Sequence, residues 1–241
     1  MTAPRRWSTT VLVLSALVLG ALTGCTRSLE MSYTPSLYRL PQADSIKGIV
    51  LGVAKLEDRR ATIDRSDMQS LGYVMRQGAW KFGLTHGGKE FVPVADLVQR
   101  LFLDEFIRAG VGAKALPEIL TKDGLPAMRD AGGKVGAGYV LGGRILVFEI
   151  VNDPGFWTVD SRRSITLELN LLRVRDSALV LDTTVSHNDS RNEGAGILHS
   201  TNVDRLMNTA FRQVVTQVVE QVAAKLALDP RDVRVRWAWE R

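Results

Sequence analysis

The chain has 241 residues, of which 45% are hydrophobic, and a single cysteine, Cys25. Without its first 24 residues, which contain Arg5 and Arg6 and no acidic residue, the net charge falls from +5 to +3, and so mild a balance does not indicate nucleic-acid binding. One cysteine excludes an intrachain disulfide, so the core alone must stabilise the fold, and the length suits a single domain.

Residues 1–24 have the layout of a secretory signal. Arg5 and Arg6 give a positive start, residues 11–21 form an apolar run, and small residues precede Cys25. The run is about half of the roughly 20 residues that a membrane-spanning helix needs, so the pattern favours a signal that is removed over a permanent anchor.

The four residues at the end of this segment and just after it, Leu22-Thr23-Gly24-Cys25, resemble the lipobox of bacterial lipoproteins. The resemblance implies cleavage between Gly24 and Cys25 and attachment of lipid, such as palmitate, to Cys25. Several acyl chains anchor a protein firmly, whereas one binds marginally. Thr26, in place of an aspartate, favours the outer membrane over the inner membrane, with the protein facing the periplasm. The alternative is an ordinary signal with a chance cysteine.

Residues 25–45 are predicted to be a lipidated tether, because they lack a periodic pattern and contain two prolines. Strands and helices are then expected to alternate, on the evidence of β-branched runs, helical spacing and glycine stops. In order, these are a strand at 46–54, short strands at 73–82, a helix at 94–109, a short strand at 111–116 and a weaker helix at 123–131.

The second half of the chain is expected to contain three consecutive strands joined by short turns. They are predicted at 139–151, 157–174 and 179–185, followed by a polar loop at 186–202 and the longest helix at 203–228. In the middle strand, leucines alternate with polar residues, which is typical of a half-buried antiparallel strand.

These elements predict an α/β or α+β fold, in which two main helices cover a mixed sheet with an antiparallel meander. A single domain would span 46–228, and a tail rich in tryptophan and arginine would follow at 229–241.

The sequence offers weak candidates for chemistry. His187, Asp189 and His199, in the loop predicted at 187–199, could form a metal or acid–base site, but their spacing matches no zinc motif and a solvated loop is the simpler interpretation. The glycine-rich run 132–138 precedes a strand, whereas phosphate-binding loops follow one. We therefore expect no catalytic residue, metal site or cofactor.

Two groups of residues are candidates for partner binding. Asp58, Arg59 and Arg60 close the first predicted strand and could bind a partner or an anionic headgroup, or form a self-paired loop. Trp237 and Trp239 alternate with arginines in the tail and could contact lipid or a partner's sheet, or add a strand to their own sheet.

Beyond the lipobox, the chain resembles YajG-type lipoproteins and the auxiliary lipoproteins of envelope transporters. The resemblance lies in the strand ending near Asp58, the helix that begins at 94–98 and the run 138–145. Their fold is similar to the amino-terminal domain of the TolB and curli-secretion lipoproteins. The resemblance implies a non-catalytic envelope component without a cofactor, whose partner is an envelope protein or a second copy of the chain. The alternatives are a lipid or small-molecule carrier and an envelope enzyme that uses the 187–199 loop.

Overall fold

The computed structural model describes residues 28–30, 33, 45–77, 80–86, 89, 91–154, 158–194 and 200–228. The strands are β1 Ser28–Glu30, β2 Val50–Lys55, β3 Glu57–Asp58, β4 Tyr73–Gln77, β5 Trp80–Thr85, β6 Gly112–Ile119, β7 Tyr139–Pro154, β8 Thr158–Arg173 and β9 Ala178–Gly194, and the helices are α1 Val94–Arg108, α2 Leu125–Val135 and α3 Ser200–Ala227. Over these residues, nine strands form one mixed sheet. The predicted fold class, a mixed sheet with an antiparallel meander and two main helices, is confirmed.

The long strand β7 organises the sheet. One of its edges pairs antiparallel with β8 from Tyr139 to Pro154, and β8 pairs antiparallel with β9, which forms the predicted meander. The other edge pairs in succession with the short strands β2, β3 and β4, all of them parallel to β7. Beyond these, β6 lies outside β2, and β5 and β1 lie outside β4.

The two main helices, α1 and α3, bury their apolar stripes on one face of the sheet. Phe211 of α3 meets Phe148 of β7 with a ring separation of 5.4 Å, and Phe102 and Phe106 of α1 are fully buried in the same cluster. The short helix α2 packs on the opposite face, where Met128 lies in a smaller cluster. The sheet is therefore covered on both faces around β2, β6 and the start of β7, the arrangement expected where parallel strands are present.

The end of α1 confirms the sequence prediction. Ala109 caps the helix, and Gly110 follows with a φ of 89°. Only glycine adopts this left-handed conformation without a steric cost, so the helix stops where the predicted glycine stands.

Three segments differ from the prediction. β9 continues to Gly194, through most of the predicted loop at 186–202, because β8 offers backbone partners along its whole length. β7 likewise continues through residues 152–154, which were predicted to turn. β1 pairs with β5 and so brings residues 28–30, within the predicted tether, into the sheet.

Two adjacent glycines let the chain entering α2 approach β7. The amide of Gly143 donates to the carbonyl of Leu120 at 2.9 Å. Gly143 has a φ of 144°, and a Cβ there would overlap the carbonyl oxygen of Glu168, while a Cβ on Gly142 would overlap that of Leu120. A side chain at either position would therefore push a neighbouring strand or loop away.

We expect Gly143→Ala to lower the free energy of unfolding by about 2 kcal/mol or more, because it adds backbone strain to a collision with main-chain atoms. Gly133→Ala is the matched control, since it lies inside α2 with no atom within 4 Å of a Cβ, and it should be neutral or stabilise by about 0.5–1 kcal/mol. Urea unfolding of the two variants measures the difference, and equal midpoints would contradict the assignment.

Candidate functional site

The charged residues that close the first predicted strand are divided between the two sides of β3. Successive side chains of a strand point in opposite directions. Glu57 accordingly pairs with Arg59, with an Oε1–Nε distance of 2.6 Å, whereas Asp58 pairs with Arg60. The sequence grouped Asp58, Arg59 and Arg60 as one candidate, but the structure gives them different neighbours.

Arg60 lies inside the fold with only 3% of its surface exposed. Its Nε and Nη2 donate to the Asp58 carboxylate at 2.9 and 2.8 Å, a bidentate pair of the stronger kind. The same guanidinium donates to the carbonyls of Leu71 at 2.8 Å and Tyr73 at 2.5 Å, and to Phe148 of β7 at 3.4 Å. Arg60 thus joins β7 to the segment that enters β4, between the stretches of β7 that pair with β3 and with β4.

Arg59 takes the opposite direction and is 46% exposed in its side chain. Its partner Glu57 also accepts from Nε of Arg144 at 3.1 Å. Partial burial opposes ionisation of Glu57, but the hydrogen bonds from Arg59 and Arg144 outweigh it and hold the pKa of Glu57 below its usual value.

Arg144 is the centre of a row of alternating charges that crosses the sheet. Glu57, Arg144 and Glu168 are direct register partners on β3, β7 and β8. Nη1 of Arg144 lies 3.4 Å from Glu168, and its Nη2 contacts Asp123. Opposite charges at directly paired positions stabilise a sheet, so this row favours the observed register.

Lys122 extends the row toward β9. Its Nζ lies 3.3 Å from Glu168 and 3.1 Å from Asp182, and these hydrogen bonds raise the pKa of Lys122. Asn170 donates to Asp182 at 2.9 Å. We call this set of seven charged residues the charged ladder, namely Glu57, Arg59, Lys122, Asp123, Arg144, Glu168 and Asp182.

The ladder lies on the side of the sheet away from α1 and α3. Glu168 alternates with Leu167 and Leu169, which are fully buried beneath those helices. Its central members, Arg144 and Glu168, are about one-sixth exposed, whereas Asp123 is 66% exposed. A surface with both signs of charge in fixed positions is suited to selecting a complementary polar partner.

The residues proposed for an enzymatic site lie partly in a strand. His187 and Asp189 occupy alternate positions of β9, on the side that holds buried Val185. Asp189 is the register partner of Arg163, and Oδ2 of Asp189 lies 3.6 Å from Nη2 of Arg163. Arg163 itself is buried, with 1% of its surface exposed. His199 lies outside the described residues. Among the residues that the structure describes, no group of three or more His, Cys, Asp or Glu side chains could hold a metal.

The carrier interpretation requires space between the long helix and the sheet. The side of α3 that faces the sheet is fully buried at Val214, Val215, Val218 and Val222. Over this part of the helix, the side chains are packed into the core.

The remaining candidates lie beyond the described ranges. These are Gly24 and Cys25 at the predicted cleavage and lipidation site and Trp237 and Trp239 in the tail, and they stay predictions. In the described part of the chain, no helix is long and apolar enough to cross a membrane.

The sequence analysis missed the ladder residues beyond β3. The alternation in β8 indicated that Glu168 lies on the polar side of that strand. Its position beside Arg144, and that of Arg144 beside Glu57, depend on pairing between segments far apart in sequence. A charge on one strand does not reveal which charge on another strand lies opposite.

No family model matches the chain, and no curated protein matches it. Among solved structures, protein XCC0632 from Xanthomonas campestris, described by the family model DUF330, has a TM-score of 0.50 at 16% identity, over 85% of this chain and 98% of that one. CT253 from Chlamydia trachomatis has a TM-score of 0.42 at 10% identity, over 74% of this chain and 97% of that one. Lipoprotein GNA1162 from Neisseria meningitidis has a TM-score of 0.33 at 12% identity, over 70% and 99%. Only the first likeness is near enough to support an argument, and it supports the fold alone.

Arg60→Ala should lower the free energy of unfolding by about 3–5 kcal/mol, because it leaves the Asp58 carboxylate and the carbonyls of Leu71 and Tyr73 without their donor. Arg59→Ala, one residue away and exposed, should change it by about 0.5 kcal/mol or less. Urea unfolding of both variants tests the difference. Comparable losses would show that Arg60 is not a special link between β7 and β4.

Proposed function

We propose that this protein is a lipid-anchored, periplasm-facing accessory component of a bacterial cell envelope, which binds a partner and does not catalyse a reaction. The observation that carries the proposal is the lipobox-like Leu22-Thr23-Gly24-Cys25 at the end of a signal-like segment. Cleavage before Cys25 and acylation of Cys25 would make it the covalent link to the membrane. The side chain at Thr26 favours the outer membrane.

The charged ladder supplies the surface for the partner. Its outer members, Arg59, Asp123 and Asp182, are exposed, while Arg144 and Glu168 fix them in place through paired strands. Each exposed pair contributes little to stability, so seven charges in one fixed pattern favour a role in recognition. The partner would be an envelope protein that presents the complementary pattern, and the resemblance to transporter-auxiliary lipoproteins favours a transport complex.

Two ion pairs that each contain a buried arginine support a structural rather than a catalytic role for their four members. Arg60, held by Asp58, donates to backbone carbonyls of the β4 and β7 segments, and Asp189 of β9 pairs with Arg163 of β8. Residues in such contacts hold strands together. The non-catalytic part of the proposal rests on these ion pairs and hydrogen bonds and on the family resemblance.

A photo-reactive amino acid at position 59, in the lipidated protein within its native membrane, should cross-link to a defined envelope protein that mass spectrometry identifies. The same probe at Arg175 is the control, because this exposed arginine lies in the β8–β9 turn, about 15 Å beyond Asn170, the register partner of the ladder residue Asp182. Cys25→Ala should weaken the cross-link by releasing the protein from the membrane. The absence of a specific product at position 59, or the same product at position 175, would overturn the proposed partner surface.

A further inference from the structure

The first strand of the sheet begins very close to the proposed lipid anchor. β1 starts at Ser28, only three residues after Cys25, and Ser28 pairs with Gly83 of β5. Three residues span at most about 11 Å. If Cys25 carries the lipid, as in the proposed function on which this inference rests, the β1–β5 edge lies within that distance of the anchor.

A second contact fastens this segment to the body. The hydroxyl of Tyr33 donates to Oε1 of Glu105 on α1 at 2.8 Å, and its ring lies 6.0 Å from the ring of Phe211 on α3. Burial, together with the hydrogen bond to Glu105, raises the pKa of Tyr33. The chain is therefore attached to the sheet and to both main helices within ten residues of Cys25.

The direction of β1 determines which end of the sheet is near the anchor. β1 runs parallel to β5, and Ser28 pairs with Gly83. The chain before Ser28 therefore comes from the same end of the sheet as Lys81, which precedes Gly83 on β5. Lys81 is two residues before Gly83, a distance of about 7 Å along the strand. The hairpin of β4 and β5 is thus the part of the described sheet that lies beside the anchor.

This hairpin carries a basic and aromatic surface. Arg76 and Lys81 are exposed and are direct register partners, and Nζ of Lys81 lies 5.4 Å above the ring of half-buried Tyr73. Like charges at opposite positions repel each other, and an anion beside them would relieve that cost. Hydrogen bonds from the hydroxyl and amide of Ser66 to Oδ1 lower the pKa of nearby Asp64, and Lys81 adds a smaller electrostatic contribution. We call Tyr73, Arg76 and Lys81 the basic edge.

We propose that the basic edge rests on the membrane that holds the lipid of Cys25 and binds the anionic phosphate headgroups of its phospholipids. Cations attract anionic headgroups, and aromatic rings are favoured at the same depth. The predicted tether then does not hold the body away from the bilayer. Arg76 pairs with Val151 of β7, and Arg144 of the charged ladder lies seven residues from Val151 along the same strand. The ladder would therefore meet its protein partner about 20 Å from the membrane surface.

The depth of single positions in the membrane tests this orientation. The full lipidated protein is reconstituted into phosphatidylcholine vesicles that contain phosphatidylglycerol, after intact-mass measurement has confirmed the lipid on Cys25. Because acylated Cys25 has no free thiol, Lys81→Cys introduces a unique site for a fluorophore. This change removes one of the two cations of the basic edge and leaves Arg76 as the other. Arg175→Cys is the matched control, at the β8–β9 turn roughly 40 Å away along β7. A quencher attached to lipid headgroups should quench position 81 several-fold more than position 175.

The charge of the surface is tested in the same vesicles. Arg76→Gln should reduce the quenching of the fluorophore at position 81, and Arg129→Gln, which removes an equal charge from exposed α2, should not. Equal quenching at positions 81 and 175, or quenching at neither, would overturn the orientation. An unlipidated Cys25 would instead overturn the proposed function, so the two failures are distinguishable.

Discussion

The structure depends on satisfying both edges of β7. A strand of 16 residues presents backbone donors and acceptors along two sides, and buried groups of this kind must be paired. β8 pairs with one edge from Tyr139 to Pro154, with a single bulge at Leu146, whereas the other edge is shared by β2, β3 and β4. Between the stretches paired with β3 and β4, this edge has no strand partner among the described residues. The guanidinium of Arg60 lies there, bonded to the carbonyls of Phe148 and Tyr73.

This arrangement explains why neighbouring charges at β3 have different environments. Because Arg60 turns inward to β7, strand alternation places Glu57 and Arg59 on the outer side, where Arg144 of β7 completes their pairing. The link that closes the edge of β7 and the ladder available to a partner are therefore two sides of one short strand. A change in the register of β3 would disturb both.

The parts of the fold that were predictable from sequence are those fixed by local patterns. The leucine alternation of β8, the apolar stripe of α1 and the glycine after it all gave elements that the structure confirms. The second half of β9 was not predictable, because residues 186–194 are polar and are strand only through pairing with β8. β1 escaped prediction for the same reason, since three residues in a polar segment contain no periodic signal.

The candidate site shows the same division between local and long-range information. The sequence drew attention to Arg59 and Arg60 but could not distinguish the exposed side chain from the buried one, because that depends on which face of β7 each meets. The position of Arg144 in the ladder follows from registers between distant strands, and that of Lys122 from its contacts with Glu168 and Asp182. The anchor is the opposite case, since a local motif at Cys25 carries the whole proposal.

Attachment at Cys25 is the central claim of this account, and the intact mass of the protein extracted from its native envelope tests it most directly. The account predicts a polypeptide that begins at Cys25, lacks residues 1–24 and carries the added mass of a diacylglyceryl group with its fatty acids. A chain that begins at another residue, or that begins at Cys25 without lipid, would contradict it.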